Sequence, residues 1–455
     1  MTTTMNLITG PRARHLLAFA TVMTLASATP GAAQDRSTLV SPAPAPEPQR
    51  TSAATADSAA ASVIATADES GFGLRSSDGA FALQFRGGAQ YDGRVFPDDP
   101  EDAAIDGFEL RRLRADLRGT VYHIYDFRVN LDYAGNRVEV LDAYLDARFA
   151  PALQIRAGKF KAPVGLERLQ SLFALTFAER GFPTALAPNR DVGIQLSGSL
   201  GGSMASYQVG VFNGVADGAS GDQDLSDSKD LAARIFLQPF SRSGVEALSG
   251  LGIGIAGTVG EQEGTADSPG LAAPRTPLGR LTFHRFLGDG TPTGTVIADG
   301  RRTRLSPQGY WYWRNLGVLG EYIRSQTEVS LEAQQAEVSQ SAWQLAASWV
   351  LTGEDASYRG VIPSRPLDFS RGGWGAWEVA GRFQALETDD DAFPALADPL
   401  RAAQRAKSFT LGFNWYLNRN VRFLTNYERT RFDAAPGGTH LPTESVFASR
   451  IQVAF

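Results

Sequence analysis

The chain has 455 residues, no cysteine, four histidines and a formal net charge of −6. The lack of cysteine excludes disulfides, thiolate metal sites and a cysteine nucleophile. Lysine occurs only at 159, 161, 229 and 407, so 39 of the 43 basic residues are arginine. This bias reflects either codon usage or a need for planar guanidinium groups, which bind phosphate and carboxylate groups bidentately.

The first 33 residues have the pattern of a secretory signal peptide. Arg12 and Arg14 precede the short apolar segment 16–25, and a small-residue cleavage site, Gly31-Ala32-Ala33, follows. Residues 34–75 are rich in Ala, Ser, Thr and Pro and are predicted to be a disordered periplasmic extension. No later apolar run reaches the length of about 18 residues that a membrane-spanning helix needs.

From residue 76 to the C-terminus, apolar and polar residues alternate with a period of two. The first segment sets Phe81, Leu83 and Phe85 against Gln84 and Arg86, and about sixteen such segments follow one another. Very short joints occur at 201–203, 314–315 and 418–420, and long polar joints at 214–228, 261–300, 352–373, 388–406 and 432–444. Short turns that alternate with long loops predict an all-β fold, an antiparallel transmembrane β-barrel of about 16 strands.

A soluble all-β protein is the rival interpretation, because alternation also occurs in sandwiches and soluble barrels. Two features favour the membrane barrel. The segments are longer than the five or six residues typical of soluble strands. One face is heavily charged while the other is almost wholly apolar, as a wet lumen and a lipid-facing wall require.

The segment "FELRRLRADLRGTVY" places three arginines on one lumenal face: Arg112, Arg114 and Arg118. Each could pair with a lumenal carboxylate on a neighbouring strand, such as Asp132, Asp142 or Asp146. As a row they could instead form an anion track, because a low-dielectric wall focuses the field of unpaired charges.

The segment "RAGKFKAPVGLERLQS" begins as a strand, and Pro163 and Gly165 end it. No alternation resumes before Asp191, yet the connection is rich in large apolar residues, which predicts a loop folded into the barrel that narrows the channel. Five basic residues of this region are candidates to meet an anion there: Lys159, Lys161, Arg168, Arg180 and Arg190. The strand phase leaves open which of the two lysines faces the pore. The acidic loop 217–230 is interpreted as solvated.

Several motifs in series resemble the phosphate-selective porins O and P, from about residue 80 to the end. They include "FELRRLRADLRG", "LDAYLDARF", "IRAGKFKAPVGLERLQS", "FAERGFPTALAPNRDVGIQLSG" and "LGFNWYLNRNVRFLTNYERTRF". The resemblance implies a homotrimer of sixteen-stranded barrels in the outer membrane of a Gram-negative bacterium, each with its third loop in the lumen. It also implies an arginine ladder that leads anions to a constriction lined by loop lysine and strand arginine. The row of Arg112, Arg114 and Arg118 and the basic inward loop predict a passive, anion-preferring channel for phosphate or polyphosphate-type solutes, with no cofactor and no nucleic-acid partner.

By motif, Arg111 and Arg112 match the paired arginine before the second strand of that family, and Lys161 matches the lysine of its G-x-F-K segment. Arg111 falls on the apolar phase, which places it at the mouth of the strand. The terminal Phe455 resembles the signal that the outer-membrane assembly machinery reads, or simply ends a strand that closes the barrel against the first.

Two other functions stay open at this stage. A nonspecific diffusion porin is consistent with the acidic chain and its many lumenal aspartates. A barrel enzyme would need a Ser or Asp site with a histidine partner, and only His123, His284 and His440 lie beyond the leader. No catalytic motif is present, so no enzymatic activity is predicted.

Overall fold

The computed structural model describes residues 62–68, 71–97, 104–135, 137–223 and 227–455. The signal peptide predicted for 1–33 and most of the extension predicted for 34–75 lie outside these residues. The strands are β1 Val63–Asp68, β2 Gly71–Ser76, β3 Phe81–Val95, β4 Gly107–Val121, β5 Tyr125–Asp132, β6 Glu139–Ala150, β7 Leu153–Lys161, β8 Arg190–Leu200, β9 Ala205–Phe212, β10 Asp230–Leu237, β11 Leu251–Glu263, β12 Ile297–Trp313, β13 Leu316–Leu331, β14 Gln334–Val350, β15 Ala376–Thr388, β16 Ala403–Tyr416, β17 Val421–Ala434 and β18 Glu444–Ala454. The α-helices in the described connections are short: α1 Leu166–Leu169, α2 Pro183–Leu186 and α3 Glu246–Ser249. Within the described residues, no helix has both the length and the apolar character that crossing a membrane requires.

Strands β3 to β18 form a closed antiparallel barrel of sixteen strands. Each strand pairs with the next in sequence, and β18 returns to pair with β3, from Phe447 opposite Val95 to Ala454 opposite Gly88. The main chains of Phe455 and Gly87 then exchange two hydrogen bonds of 3.0 Å. The predicted fold class is confirmed, and the last strand closes the barrel against the first.

The hairpin of β1 and β2 extends the sheet beyond the end of β18. β2 pairs with the first half of β3, where Phe72 lies opposite Phe85, and the rings of Phe72 and Phe455 have their centroids 5.8 Å apart. From Val63 onward the chain therefore forms strands where the sequence predicted disorder. The free edge of β3 explains this ordering, because its backbone donors and acceptors need a partner once β18 has ended.

The two faces of the barrel wall follow the predicted alternation. In β3, the outward Phe81 and Phe85 are 46% and 44% exposed, whereas the inward Gln90 and Asp92 are 0% and 2% exposed. The outer wall is thus the apolar surface that lipid requires, and the inner wall carries the polar and charged groups.

The connections divide between the two ends of the barrel. The three predicted short joints, 201–203, 314–315 and 418–420, lie at one end, called the turn end below. The connections 162–189, 213–229, 264–296, 389–402 and 435–443 lie at the other, called the loop end. The long connection 351–375 lies at the turn end. The sequence predicted a long joint at 352–373, but it grouped this joint with the loops of the other end.

The segment 351–375 folds into the barrel from the turn end. Tyr358 Oη donates to the carbonyl of Leu166 at 2.5 Å, and Gln170 Nε2 donates to the carbonyl of Tyr358 at 2.8 Å. Tyr358 also stacks on Tyr310 of the wall, with ring centroids 5.2 Å apart. The loop between β7 and β8 therefore contacts both the segment 351–375, which enters from the turn end, and the barrel wall.

Candidate functional site

The connection 162–189, called the constriction loop below, crosses the lumen to the opposite wall. Inward polar side chains of the last six strands hold it, in most cases by bonding its backbone. The contacts are Leu166 N to Glu321 Oε2, 2.6 Å; Gln344 Nε2 to Glu167 Oε2, 2.9 Å; Phe182 N to Gln384 Oε1, 2.8 Å; Asn414 Nδ2 to Thr176 O, 2.9 Å; Ala178 N to Asn426 Oδ1, 2.7 Å; and Gln452 Nε2 to Phe173 O, 3.0 Å. These bonds satisfy backbone groups that leave water when the loop enters the barrel.

Apolar side chains of the same loop pack against the barrel wall. Val164, Phe182 and Leu186 are at most 1% exposed and pack in one cluster with Ile323 and Leu386 of the wall. Burial of each large apolar side chain contributes about 1.5–3 kcal/mol. The prediction of an inward-folded loop, made from its apolar residues, is confirmed.

Glu179 fastens the middle of the constriction loop to the barrel wall. Its carboxylate accepts from Arg111 Nε at 2.9 Å, from Arg112 Nη2 at 2.8 Å and from Arg450 Nη2 at 2.8 Å. Arg382 Nη1 donates to its main-chain carbonyl at 3.0 Å. Burial acts to raise the pKa of Glu179, but Arg112, Arg111 and Arg450 together hold it well below its usual range.

A β-bulge explains how two adjacent arginines reach one carboxylate. The register of β3 and β4 shifts between Gln90, which pairs with Arg112, and Tyr91, which pairs with Leu110. Arg111 is the extra residue, so its side chain escapes the outward phase that alternation assigns to it. It lies against Glu179 inside the barrel, which differs from its predicted position at the strand's mouth.

The predicted arginine row is a set of ion pairs. Besides Arg112 with Glu179, Arg114 Nε binds Asp132 at 2.9 Å and Arg118 Nη2 binds Asp116 at 2.7 Å. The pairing that the sequence analysis considered for single arginines thus extends to all three, and the row is not a line of unpaired charge. The Arg114 pair joins β4 to β5, the Arg112 pair joins β4 to the constriction loop, and the Arg118 pair lies within β4.

Three cations of the loop region bind carbonyl oxygens, and in the described residues none pairs with a carboxylate. Lys161 Nζ donates to Arg168 O at 2.6 Å and Gln170 O at 3.2 Å, and Arg180 Nη2 donates to Gln170 O at 2.9 Å. Arg168 donates to the carbonyl of Thr184. We call Lys161, Arg168 and Arg180 the cation cluster. Lys161 and Arg180 are half-buried, so each keeps a face open to solvent.

The cation cluster lies close to other predicted site residues. Arg112 and Arg114 act electrostatically on Arg180, and Arg190, which binds Asp142 at 3.0 Å, acts on Lys161. Burial, and then the charge of Arg168, lower the pKa of Arg180 to about 9. Arg180 therefore keeps its charge at neutral pH. Arg118 and Lys159 bind partners outside this group.

Lys159 is held apart by the acidic loop 213–229. It is 6% exposed, donates to Val140 O at 2.7 Å and pairs with Asp222. We expect Lys159→Gln to leave ion selectivity nearly unchanged, since its charge is already neutralised. The stability cost should be about 1 kcal/mol or less, because Asp222 is 70% exposed and stays hydrated. Bilayer reversal potentials of the variant and the parent check this, and a marked loss of anion preference would contradict it.

The loop 213–229 is more than the solvated acidic loop that its sequence suggested. Asp217 is 9% exposed and binds Arg304 Nε at 2.6 Å, while Asp230 at its end binds Arg304 Nη1 at 3.0 Å. Arg304 also donates to the carbonyl of Val215 at 2.7 Å. These contacts hold the loop against the inner wall. They all involve Arg304 of β12, a partner that the sequence of the loop alone does not predict.

The three histidines beyond the leader lie in different connections. His123 is in the turn between β4 and β5, His284 is buried against Phe286 and Phe393, and His440 Nδ1 lies 3.3 Å from a main-chain carbonyl. Among the described residues, none of them hydrogen-bonds to a Ser, Asp or Glu side chain.

A closed sixteen-stranded barrel with an apolar outer wall and an inward constriction loop defines an outer-membrane channel of the porin class. A sequence profile of the family described as phosphate-selective porin O and P matches residues 83–455. The chain belongs to this family. It is accordingly an outer-membrane protein of a Gram-negative bacterium.

Known proteins agree with this assignment. The chain is 24% identical over 379 residues to Porin O of Pseudomonas aeruginosa, covering 77% of this chain and 82% of that protein. Its fold is similar to the outer-membrane channel DcaP of Acinetobacter baumannii, with a TM-score of 0.54 and 10% identity, covering 85% of this chain and all of that one. The anion-selective porin from Comamonas acidovorans gives a TM-score of 0.52 at 12% identity, covering 82% of this chain and 100% of that one.

Proposed function

We propose that the barrel is a passive, anion-preferring diffusion channel for phosphate or polyphosphate-type solutes. The observation that carries this proposal is the cation cluster, because its three charges meet carbonyl oxygens and not carboxylates. Carbonyl contacts position a cation without neutralising it, so the field of Lys161, Arg168 and Arg180 is available to a passing anion. The family and the Porin O relative support phosphate as the solute.

The other predicted site residues have supporting roles in this proposal. Arg111 and Arg112 anchor the constriction loop through Glu179, and Arg114, Arg118 and Arg190 hold lumenal carboxylates that would otherwise repel an anion. Solutes would replace part of their hydration with Lys and Arg donors and leave again, since binding must stay weak for transport. No cofactor or covalent step enters this mechanism.

A planar-bilayer experiment tests the proposal. Under a KCl gradient we expect a reversal potential of the sign that anion preference requires, and we expect added phosphate to reduce the chloride current. A reversal potential of the sign that cation preference requires would contradict the proposal. An anion-selective channel without phosphate block would support the general diffusion porin instead.

We further propose that the channel is a homotrimer. Exposed apolar residues near the loop ends of β3 and β4 support this, since Ile105 is 87% and Phe108 is 96% exposed. An OmpT structure of Vibrio cholerae with a similar fold is described as a trimer form, at a TM-score of 0.50 and 9% identity. Light scattering of the detergent-solubilised protein would decide it. Recognition of Phe455 by the assembly machinery likewise stays a prediction.

A further inference from the structure

A groove of about 590 Å³ lies on the outward face of β14 to β17, outside the lumen. Its apolar lining is aromatic: Trp343, Phe383, Phe409 and Tyr427. Trp343 and Phe383 are 45% and 57% exposed, and the rings of Phe383 and Phe409 lie with their centroids 4.7 Å apart. The groove is therefore a concave apolar surface that faces the lipid, with flat rings on which acyl chains can pack.

The side of this groove nearest the loop end is basic. In the pairing of β16 with β17, Lys407 lies opposite Arg431 and Phe409 lies opposite Arg429, so aromatic and cationic groups are adjacent. Lys407 Nζ binds Asp433 at 2.7 Å, and Arg405 is held by Glu387 at 2.5 Å.

Arg429 and Arg431 have no such partners. Both are exposed, and within the described chain neither makes an ion pair or a side-chain hydrogen bond. They stand two residues apart on β17, so both side chains point outward from the same strand. Two free guanidinium groups beside an apolar groove are suited to bind phosphate bidentately.

The depth of these cations matches the outer headgroup layer. Trp415 marks the aromatic boundary of the outer wall at the turn end, and Lys407 lies eight residues away on the same strand. At about 3.4 Å per residue and a tilt near 40°, this separation spans roughly 20 Å of the membrane normal, close to the apolar band of about 25 Å in such barrels. Arg431 lies opposite Lys407 near the outer edge of this band, and Arg429 lies opposite Phe409, two residues further in. Their long side chains can extend toward the loop end and bring the guanidinium groups to the lipid headgroups.

We propose that this groove binds a bisphosphorylated, multiply acylated glycolipid of the outer leaflet, a molecule of the lipid A kind. Its acyl chains lie on Trp343, Phe383 and Phe409, and its phosphates pair with Arg429 and Arg431. Charge complementarity selects this occupant. A zwitterionic phospholipid brings one phosphate together with a compensating ammonium, and a second copy of this chain would have to bring carboxylates to the basic side.

Native mass spectrometry of the full-length protein in detergent tests the proposal. Bisphosphoryl lipid A, monophosphoryl lipid A and phosphatidylethanolamine are titrated separately. We expect the affinity to fall in that order, and the double variant Arg429→Gln/Arg431→Gln to bind bisphosphoryl lipid A at least tenfold more weakly. The control is Arg301→Gln, which removes an exposed outward arginine of β12, a strand that does not line the groove, and should bind within twofold of the parent.

The remaining outcomes are equally decisive. Equal binding by parent and double variant, or no preference for the bisphosphoryl lipid, overturns the proposal. Competition by millimolar inorganic phosphate as strong as that by lipid A also overturns it, since the groove would then hold a free ion. A changed oligomeric state with unchanged lipid binding assigns the groove to a second copy. The heat-dependent mobility of the variant on gels shows that the barrel is folded, and unchanged ion selectivity separates this site from the channel.

Discussion

Lys161→Glu should remove most of the anion preference of the channel. The substitution changes the charge beside Arg168 and Arg180 by two units while the barrel wall stays intact. At a separation of about 6 Å in water, one unit charge acts on a monovalent anion with about 0.7 kcal/mol, so the change corresponds to about 1.4 kcal/mol, or roughly tenfold in the permeability ratio. The reversal potential under a KCl gradient measures this ratio directly.

Two further variants show whether the effect belongs to the site. Lys407→Glu makes the same change of charge on the outward face and should leave the reversal potential at the parent value. Lys161→Arg keeps the charge and should keep the anion preference. If Lys161→Glu were as anion-selective as the parent, the cation cluster would not be the selectivity site, and the proposed function would lose its main support.

Glu179→Ala is expected to release the constriction loop. The substitution leaves Arg111, Arg112 and Arg450 in the barrel without the carboxylate that they share. Removal of one partner from a buried charge network costs about 3–5 kcal/mol. The loss falls at the middle of the loop, so single-channel conductance should rise and protease should cleave within 162–189 while the barrel stays folded.

The pH dependence of the parent follows from the same residue. Because the pKa of Glu179 is depressed in the folded protein, its stabilisation is complete above the ordinary glutamate pKa of about 4.3 and is lost only as the pH falls through the lower folded value. The conductance of the parent channel at pH 5 should therefore equal its conductance at neutral pH. The matched control for Glu179→Ala is Glu246→Ala, whose ion pair with Arg314 is exposed to solvent, and this variant should keep the conductance of the parent. Equal conductance of Glu179→Ala and the parent would show that other contacts hold the loop.

The barrel wall could be predicted from sequence because its cause is local. Each residue of a membrane strand meets either lipid or the lumen, so the alternation of Phe81, Leu83 and Phe85 with polar neighbours reports the environment directly. The inward loop could be predicted for a related reason. In a solvated connection, the apolar side chains of Val164, Leu166 and Leu172 would be exposed to water.

The details of the site could not be predicted, because they depend on contacts between distant residues. The position of Arg111 follows from a bulge that exists only in the pairing of β4 with β3. The alternation fails at Gly158, whose φ of +127° only glycine readily adopts, and Lys159 and Phe160 after it are both buried. Glu179 lies in the quoted segment "FAERGFPTALAPNRDVGIQLSG", but no local signal connects it to its partner Arg450, which lies 271 residues away.

Glu179 also has a consequence for the order in which the barrel is assembled. Two of its arginines come from β4, near the beginning of the barrel, and the third comes from β18, the strand that completes the barrel. β18 and β4 flank β3 on its two edges, and β18 takes this position only when the barrel wall has closed. Complete docking of the constriction loop is thus a late event in biogenesis, and a chain that has not sealed its first strand to its last also lacks the full narrowing of its pore.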